Sequence, residues 1–300
     1  MILVTGGAGY VGAKVVAALA RRAPDRDLLV LDPAPTKDLP PRARHLAASL
    51  SPQVVRDLAG DVTAVVHLAA LTTMAGERDP AAAWRLNLVG FLDLLEALAR
   101  PERPPRVVLA STLAAMPREE AGSDFVPTTS YGASKRAAEL LLLDLSRHGL
   151  VDGRILRLPT IIVRRVRVGR GGGGFISDLV RRAAAGEPFA CPAPLDHRIP
   201  VCSVEAAAEA LAALALDEVP GIGAERLLEM PSLTVTPRET AALLERLGIA
   251  GAVAGLSEAI EPDIRAMVEA WPAALPGSPA LRAFADPSLE AILAAYLASR

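Results

Sequence analysis

The sequence predicts an α/β fold, a doubly wound parallel sheet joined to a smaller α+β C-terminal region. Three observations carry that prediction. Short apolar runs alternate with stretches of helical composition through the first half of the chain. The first run, Ile2–Thr5, breaks into Gly6-Gly7-Ala8-Gly9-Tyr10-Val11-Gly12 and then into helical sequence. The alternation ends near residue 164, where glycine- and proline-rich stretches begin. The expected division is a sheet domain over residues 1–164 and a second region over 165–300, with the chain free to cross back.

The elements follow in order. After the strand at Ile2–Thr5, a helix spans Tyr10–Arg22 and stops before Pro24. Strands are expected at Leu28–Asp32, Leu46–Leu50 and Val62–Ala70, the last apolar nearly throughout, as suits a strand covered on both faces. Asp79-Pro80 opens a long helix over Pro80–Arg100. A strand at Arg106–Ser111 precedes a second long helix, Ser130–Arg147, closed by His148-Gly149. Arg154–Val163 is the sixth strand. Beyond it come a glycine-rich loop at Val168–Gly174, a helix at Phe175–Ala185 and a loop at Pro188–Pro200. An alanine-rich helix at Val204–Leu216 and a strand at Leu227–Met230 follow. Thr236-Pro237-Arg238-Glu239 carries a capping threonine, a first-turn proline and a reachable glutamate, and so opens another helix. The last helices are expected at Pro262–Trp271 and Pro287–Ser299.

Composition removes several classes of function. Hydrophobic residues make up 51% and charged residues 22%, enough to build a core and too little charge for disorder. A net charge of −2 with 3% aromatics argues against a nucleic-acid surface. No stretch approaches the roughly 18 apolar residues of a membrane span, and the N-terminus lacks the basic and apolar regions of a signal peptide. A cytoplasmic protein is expected. Cys191 and Cys202 have no metal or redox spacing, so no metal is expected and both read as reduced core residues.

The glycine loop lies at a strand–turn–helix junction. Glycines there permit the tight turn and let a pyrophosphate approach the backbone and the helix N-terminus. Asp32 stands 20 positions after Gly12, where a carboxylate accepts from ribose hydroxyls and repels a 2′-phosphate. Pro33, Ala34 and Pro35 follow it with no arginine, which favours NAD over NADP. His67 alone reads as a core histidine. Asn87, within an apolar helix, reads as an amide that orients backbone or water.

Tyr131 and Lys135 form the sharpest signal. The chain has only three tyrosines and three lysines (Lys14, Lys37 and Lys135), yet these two stand four apart on one helix. An ammonium beside a phenol favours the phenolate and lowers its pKa from about 10. The result is a proton acceptor for an alcohol.

With both motifs in hand, the chain resembles the extended short-chain dehydrogenase/reductases of the NAD-dependent epimerase/dehydratase superfamily, which have a Rossmann sheet. The resemblance rests on the glycine loop, His67-Leu68-Ala69-Ala70, Asn87, Ser111-Thr112, Tyr131-x-x-x-Lys135 and Leu158-Pro159-Thr160. It implies a catalytic set of Tyr131, Lys135 and Thr112. It also implies cofactor contacts from Gly6, Gly9, Tyr10, Val11, Gly12, Asp32, Leu68, Ala69, Ala70, Asn87, Tyr131, Lys135, Pro159 and Thr160. A narrower resemblance, to the D-erythronate dehydrogenases, covers nearly the whole chain. Its residues are the run Gly149–Arg164, Cys191-Pro192, Asp196-x-Arg198, Ala270-Trp271-Pro272 and Ala294-Ala295-Tyr296-Leu297. It implies oxidation of C2 of a four-carbon sugar acid.

A sugar acid needs a cation for its carboxylate, and arginine offers bidentate pairing. Arg198 is the first choice, from the Asp-x-Arg match, and Arg164 the second. Ser111, Thr112 and Thr73 are the other expected substrate contacts, and the loop at 169–174 reads equally as a lid or a surface loop. The two long helices are apolar on more than one face, and the resemblance implies a homodimer through them. Related readings are an L-threonine dehydrogenase, a nucleotide-sugar epimerase and, from another class, an NAD-binding sensor without catalysis.

Overall fold

The computed structural model describes residues 1–36, 38–116, 126–163, 174–222 and 224–299. In chain order the strands are β1 (Ile2–Thr5), β2 (Leu28–Leu31), β3 (Ala43–Leu46), β4 (Ala64–His67), β5 (Arg106–Thr112), β6 (Asp152–Leu158), β7 (Thr160–Ile162), β8 (Phe189–Cys191), β9 (Ile199–Ser203), β10 (Leu227–Glu229), β11 (Leu233–Val235) and β12 (Leu256–Glu258). Seven form a parallel sheet in the order β10-β6-β5-β4-β1-β2-β3. The strand order reverses beside β1, and this reversal opens the crevice where a doubly wound sheet takes its ligand.

Both faces of the sheet are covered. On one, Tyr10–Arg22 and Val204–Leu216 pack together over Ile2, Val4, Val30, Val66 and Val108. On the other, Phe91, Leu94, Leu95 and Leu98 meet Leu3, Val65, Val107 and Leu109. Each of these four side chains is fully buried, which contributes about 1.5–3 kcal/mol apiece. The C-terminal region has its own core around Ile176, Leu179, Val201, Leu244 and Leu293. It carries two small sheets, β11-β9-β7 and β12-β8.

The helices Tyr10–Arg22, Ser130–Arg147 and Val204–Leu216 have the expected bounds. The capping box at Thr236 and Glu239 is formed. Several elements differ from expectation. The third strand covers Ala43–Leu46 rather than Leu46–Leu50. Pro80–Arg100 is an α-turn over Pro80–Trp84, a π-turn over Arg85–Val89 and an α-helix over Gly90–Leu98. The single strand expected at Arg154–Val163 is two, because Pro159 lacks an N–H and the chain leaves one sheet for another there. The loop expected over Pro188–Pro200 contains β8 and the start of β9. Two helices, Pro52–Leu58 and Thr73–Arg78, were not expected.

Candidate active site

The site lies at the carboxyl ends of β1, β4 and β5. Gly6 has φ of +71°, the left-handed region that glycine tolerates, and a Cβ there would stand 2.7 Å from the Ala69 nitrogen. A Cβ on Gly12 would stand 2.3 Å from the Gly6 carbonyl oxygen. The loop is therefore pressed against both the turn that follows β4 and its own helix. Gly9 caps that helix without a side chain, and its first turn holds no acidic residue. The positive helix end is left for an anion.

Asp32 is half-buried beside this loop. Its carboxylate accepts from Ala8 N at 3.0 Å and Ala34 N at 2.9 Å, which ties the end of β2 to the glycine turn. A carboxylate offers about four acceptor positions, so ribose hydroxyls still fit. A dinucleotide suits this set: glycine backbone and a helix end for the pyrophosphate, a carboxylate for the ribose. The Tyr10 hydroxyl points elsewhere and donates to the Val163 carbonyl at 2.7 Å.

Leu68, Ala69 and Ala70 line the half-exposed turn after β4. His67, at the end of that strand, is fully buried and stacks on Phe91 with ring centroids 4.5 Å apart. Its Nδ1 lies 2.8 Å from the Thr5 hydroxyl. Burial holds the imidazole well below its ordinary pKa, and the Lys135 ammonium pushes the same way, so the ring is neutral. Asn87 sits in the π-turn and clasps Leu71. Its Oδ1 accepts from Leu71 N at 2.8 Å, and its Nδ2 donates to Leu71 O and to the Ser134 hydroxyl, each at 3.0 Å. Such local π-turns often mark functional sites.

Ser130–Arg147 carries the central pair. Thr129 caps it by accepting from Gly132 N at 3.0 Å, and Glu77 accepts from Ser130 N at 2.6 Å. A Cβ on Gly132 would stand 2.4 Å from the Ala114 carbonyl oxygen, so glycine lets the helix rest on the turn after β5. Tyr131 is half-buried at that contact, and Lys135 is 2% exposed. Burial draws the lysine pKa down to about 8, and Glu139 opposes the fall. Thr112 Oγ1 accepts from Ala114 N at 3.2 Å, which leaves the hydroxyl proton free to donate elsewhere.

Ser111 is a correction. Its hydroxyl is 2% exposed and donates to Glu139 Oε1 at 2.6 Å, so it faces the helix and not a substrate. Side chains alternate along a strand, and Ser111 and Thr112 take opposite faces. Pro159 and Thr160 are buried where the chain passes from β6 to β7. Thr73 opens its short helix half-exposed. Arg198 is exposed just before β9, while its neighbour Asp196 pairs with Arg238. Arg164 and residues 169–173 lie outside the described residues. Glu139 and Arg157 are the buried charged pair that sequence reasoning missed. A glutamate one turn beyond the lysine, between Ala138 and Leu142 on a buried helix face, was the available signal.

A dinucleotide cradle joined to a tyrosine and a buried lysine defines an NAD-dependent oxidoreductase. Residues 2–223 match the NAD dependent epimerase/dehydratase family, and the chain belongs to it. The chain is 31% identical to the D-erythronate dehydrogenase of Cupriavidus necator, over 99% of this chain and 97% of that one. It is 27% identical to the D-erythronate dehydrogenase of Haemophilus influenzae, over 93% and 92%. Among solved structures it is similar to the nucleoside-diphosphate-sugar epimerase from Agrobacterium tumefaciens, at 29% identity and a TM-score of 0.84, covering 100% of this chain and 94% of that one. It is also similar to a GalE-like L-threonine dehydrogenase from Cupriavidus necator in its holo form, at 27% identity and a TM-score of 0.85, covering 99% of each. Among the described residues, no helix is long and apolar enough to cross a membrane.

Proposed function

We propose that the chain oxidises the C2 hydroxyl of a small sugar acid of the D-erythronate kind to the 2-oxo acid. NAD, when bound, accepts the hydride. The observation that carries the chemistry is Lys135, buried one helical turn beyond Tyr131. Near-full-length similarity to two D-erythronate dehydrogenases supports the substrate class.

In this reading Tyr131 takes the hydroxyl proton as a phenolate, and Lys135 keeps that phenolate charged. The Thr112 hydroxyl donates a hydrogen bond to the substrate oxygen. Gly6, Gly9, Val11 and Gly12 hold the pyrophosphate by backbone, and Asp32 binds the adenosine ribose. Leu68, Ala69, Ala70, Pro159 and Thr160 wall the cofactor, while Asn87 fixes that wall through Leu71. Residues 1–164 do most of the cofactor binding, and residues 165–300 mainly shape the substrate end.

The test is a panel of four- to six-carbon aldonates, L-threonine and a UDP-hexose, followed by NADH absorbance. Turnover of erythronate or a close aldonate above the others is expected. Preference for threonine would replace this reading with the second one, which the holo threonine dehydrogenase likeness favours. No NADH from any of them, with no epimer formed from the UDP-hexose by product chromatography, would leave a binding role alone.

Arg198 is the proposed carboxylate contact. Arg198→Ala should raise KM for the acid at least about tenfold, as loss of a charged hydrogen bond does, and leave KM for NAD unchanged. Equal effects on both would remove Arg198 from the substrate site.

Trp84, Val89 and Leu140 expose 37%, 49% and 54% of their surface on the packed helices Pro80–Leu98 and Ser130–Arg147. Apolar exposure on adjoining helices suits a homodimer through this face. Sedimentation at micromolar concentration should give twice the chain mass, and Leu140→Glu should return it to one.

A further inference from the structure

We propose that Glu139 is a positioning residue for the Tyr131–Lys135 pair: its carboxylate, clamped from three sides, holds the lysine charge in place from one helical turn away. The inference rests on the catalytic reading above for its consequence in turnover. Its geometry does not depend on that reading.

Glu139 follows Lys135 by four residues, so both project from one face of Ser130–Arg147. Its side chain is 0% exposed. Oε1 accepts from the Ser111 hydroxyl at 2.6 Å and from Arg157 Nε at 2.9 Å. Oε2 accepts from Arg157 Nη2 at 2.7 Å and from Arg136 Nη1 at 2.9 Å. Four hydrogen bonds fill the acceptor capacity of the carboxylate. Ser111 and Arg157 are register partners on β5 and β6, so two strands and the helix meet at this one group.

Such a carboxylate cannot swing away from Lys135. The titratable groups set about the lysine are Tyr131 and Glu139, one turn to either side on its own helix, and His67 from β4, while Arg136 and Arg157 pair with Glu139. His67 is neutral, so Glu139 is the carboxylate whose charge opposes the loss of the lysine proton. Without it, burial would act on Lys135 unopposed, and the lysine would surrender its proton at lower pH. The same clamp holds Ser111, and through the adjacent peptide it holds Thr112 in register with the helix.

The test uses the scarcity of lysine. With three lysines in the chain, ¹³C-lysine labelling gives three ε resonances, assignable by single replacement of Lys14 and Lys37. In the unaltered protein one resonance should titrate near pH 8. E139Q/R157M removes the carboxylate and its main guanidinium together, an exchange that cores tolerate far better than loss of one partner. There the midpoint should fall by about one pH unit or more, and the alkaline limb of kcat/KM should move down with it. E139D keeps the charge but draws it back by one methylene. It should shift both in the same direction by less, and it decides the matter if the double variant does not fold. Midpoint and limb left at their original positions in a folded variant would overturn the proposal. Tyr131→Phe separates the two readings. If it keeps activity, the catalytic reading fails and the lysine titration still judges Glu139. If it is inactive while no variant moves Lys135, only the role of Glu139 fails.

Discussion

Tyr131→Phe should lower kcat by about 10²–10⁴-fold, the span that a positioned general base contributes. Phenylalanine keeps the ring and its half-buried packing but cannot accept the substrate proton. The glycine loop, Asp32 and the turn after β4 are untouched by the change, so NAD affinity should stay within a few-fold of its starting value. Calorimetric titration with NAD and steady-state turnover with the best aldonate measure the two quantities separately. Activity within threefold of the unaltered enzyme would remove Tyr131 from the chemistry. A parallel loss of NAD binding would show a structural role instead.

Asp152→Asn should give the largest effect on stability. Asp152 opens β6 and takes three guanidinium groups: Arg106 Nε at 2.8 Å, Arg154 Nη1 at 2.5 Å and Arg226 Nη1 at 2.7 Å. Losing the charge leaves these arginines crowded, with Asp217, 3.1 Å from Arg106, as the remaining counter-charge. A cost of about 3 kcal/mol is expected, the low end for breaking a buried pair because the group keeps some exposure. Burial pushes the Asp152 carboxyl up. Hydrogen bonds from Arg226 and Arg106 and the charge of Arg154 more than offset that, and the pKa ends below the usual value. A depressed carboxylate stabilises the fold fully above its unfolded pKa of about 3.9. The contribution is lost as pH falls through the lower folded value. Denaturant melts should therefore show the penalty in full near neutrality and a shrinking gap between the two proteins below about pH 4. A gap that stayed constant down to pH 2 would contradict the assignment.

The alternation of apolar runs and helices was enough to define the sheet, and local punctuation was enough for the best-bounded helices. Tyr10–Arg22 runs from a glycine turn to a proline, and Ser130–Arg147 closes at His148-Gly149. Where distant partners decide, the sequence was less legible. The π-turn at Arg85–Val89 exists with Asn87 bonded to Leu71, which lies 16 residues earlier, and periodicity carries no trace of that contact. The strand β3 is half polar, and β8, β11 and β12 are three residues each, so their patterns are too short to read. Ser111 was assigned to the substrate because it adjoins Thr112. The pleat sends the two side chains to opposite faces, and only the position of Glu139 reveals which face is which.

The last strand of the large sheet, β10, comes from residues 227–229, and the helix that covers β1 and β4 comes from residues 204–216. Both are made after the chain has already built part of the C-terminal core at Phe175–Ala184. A fragment severed after residue 163 would end with an unprotected edge at β6 and a bare apolar face where Ala207, Leu211 and Leu214 now sit. Neither half of this polypeptide is a transferable module. Shuffling of substrate specificity within such a scaffold must proceed by exchange of surface segments, because the backbone is stitched through the cofactor layer twice.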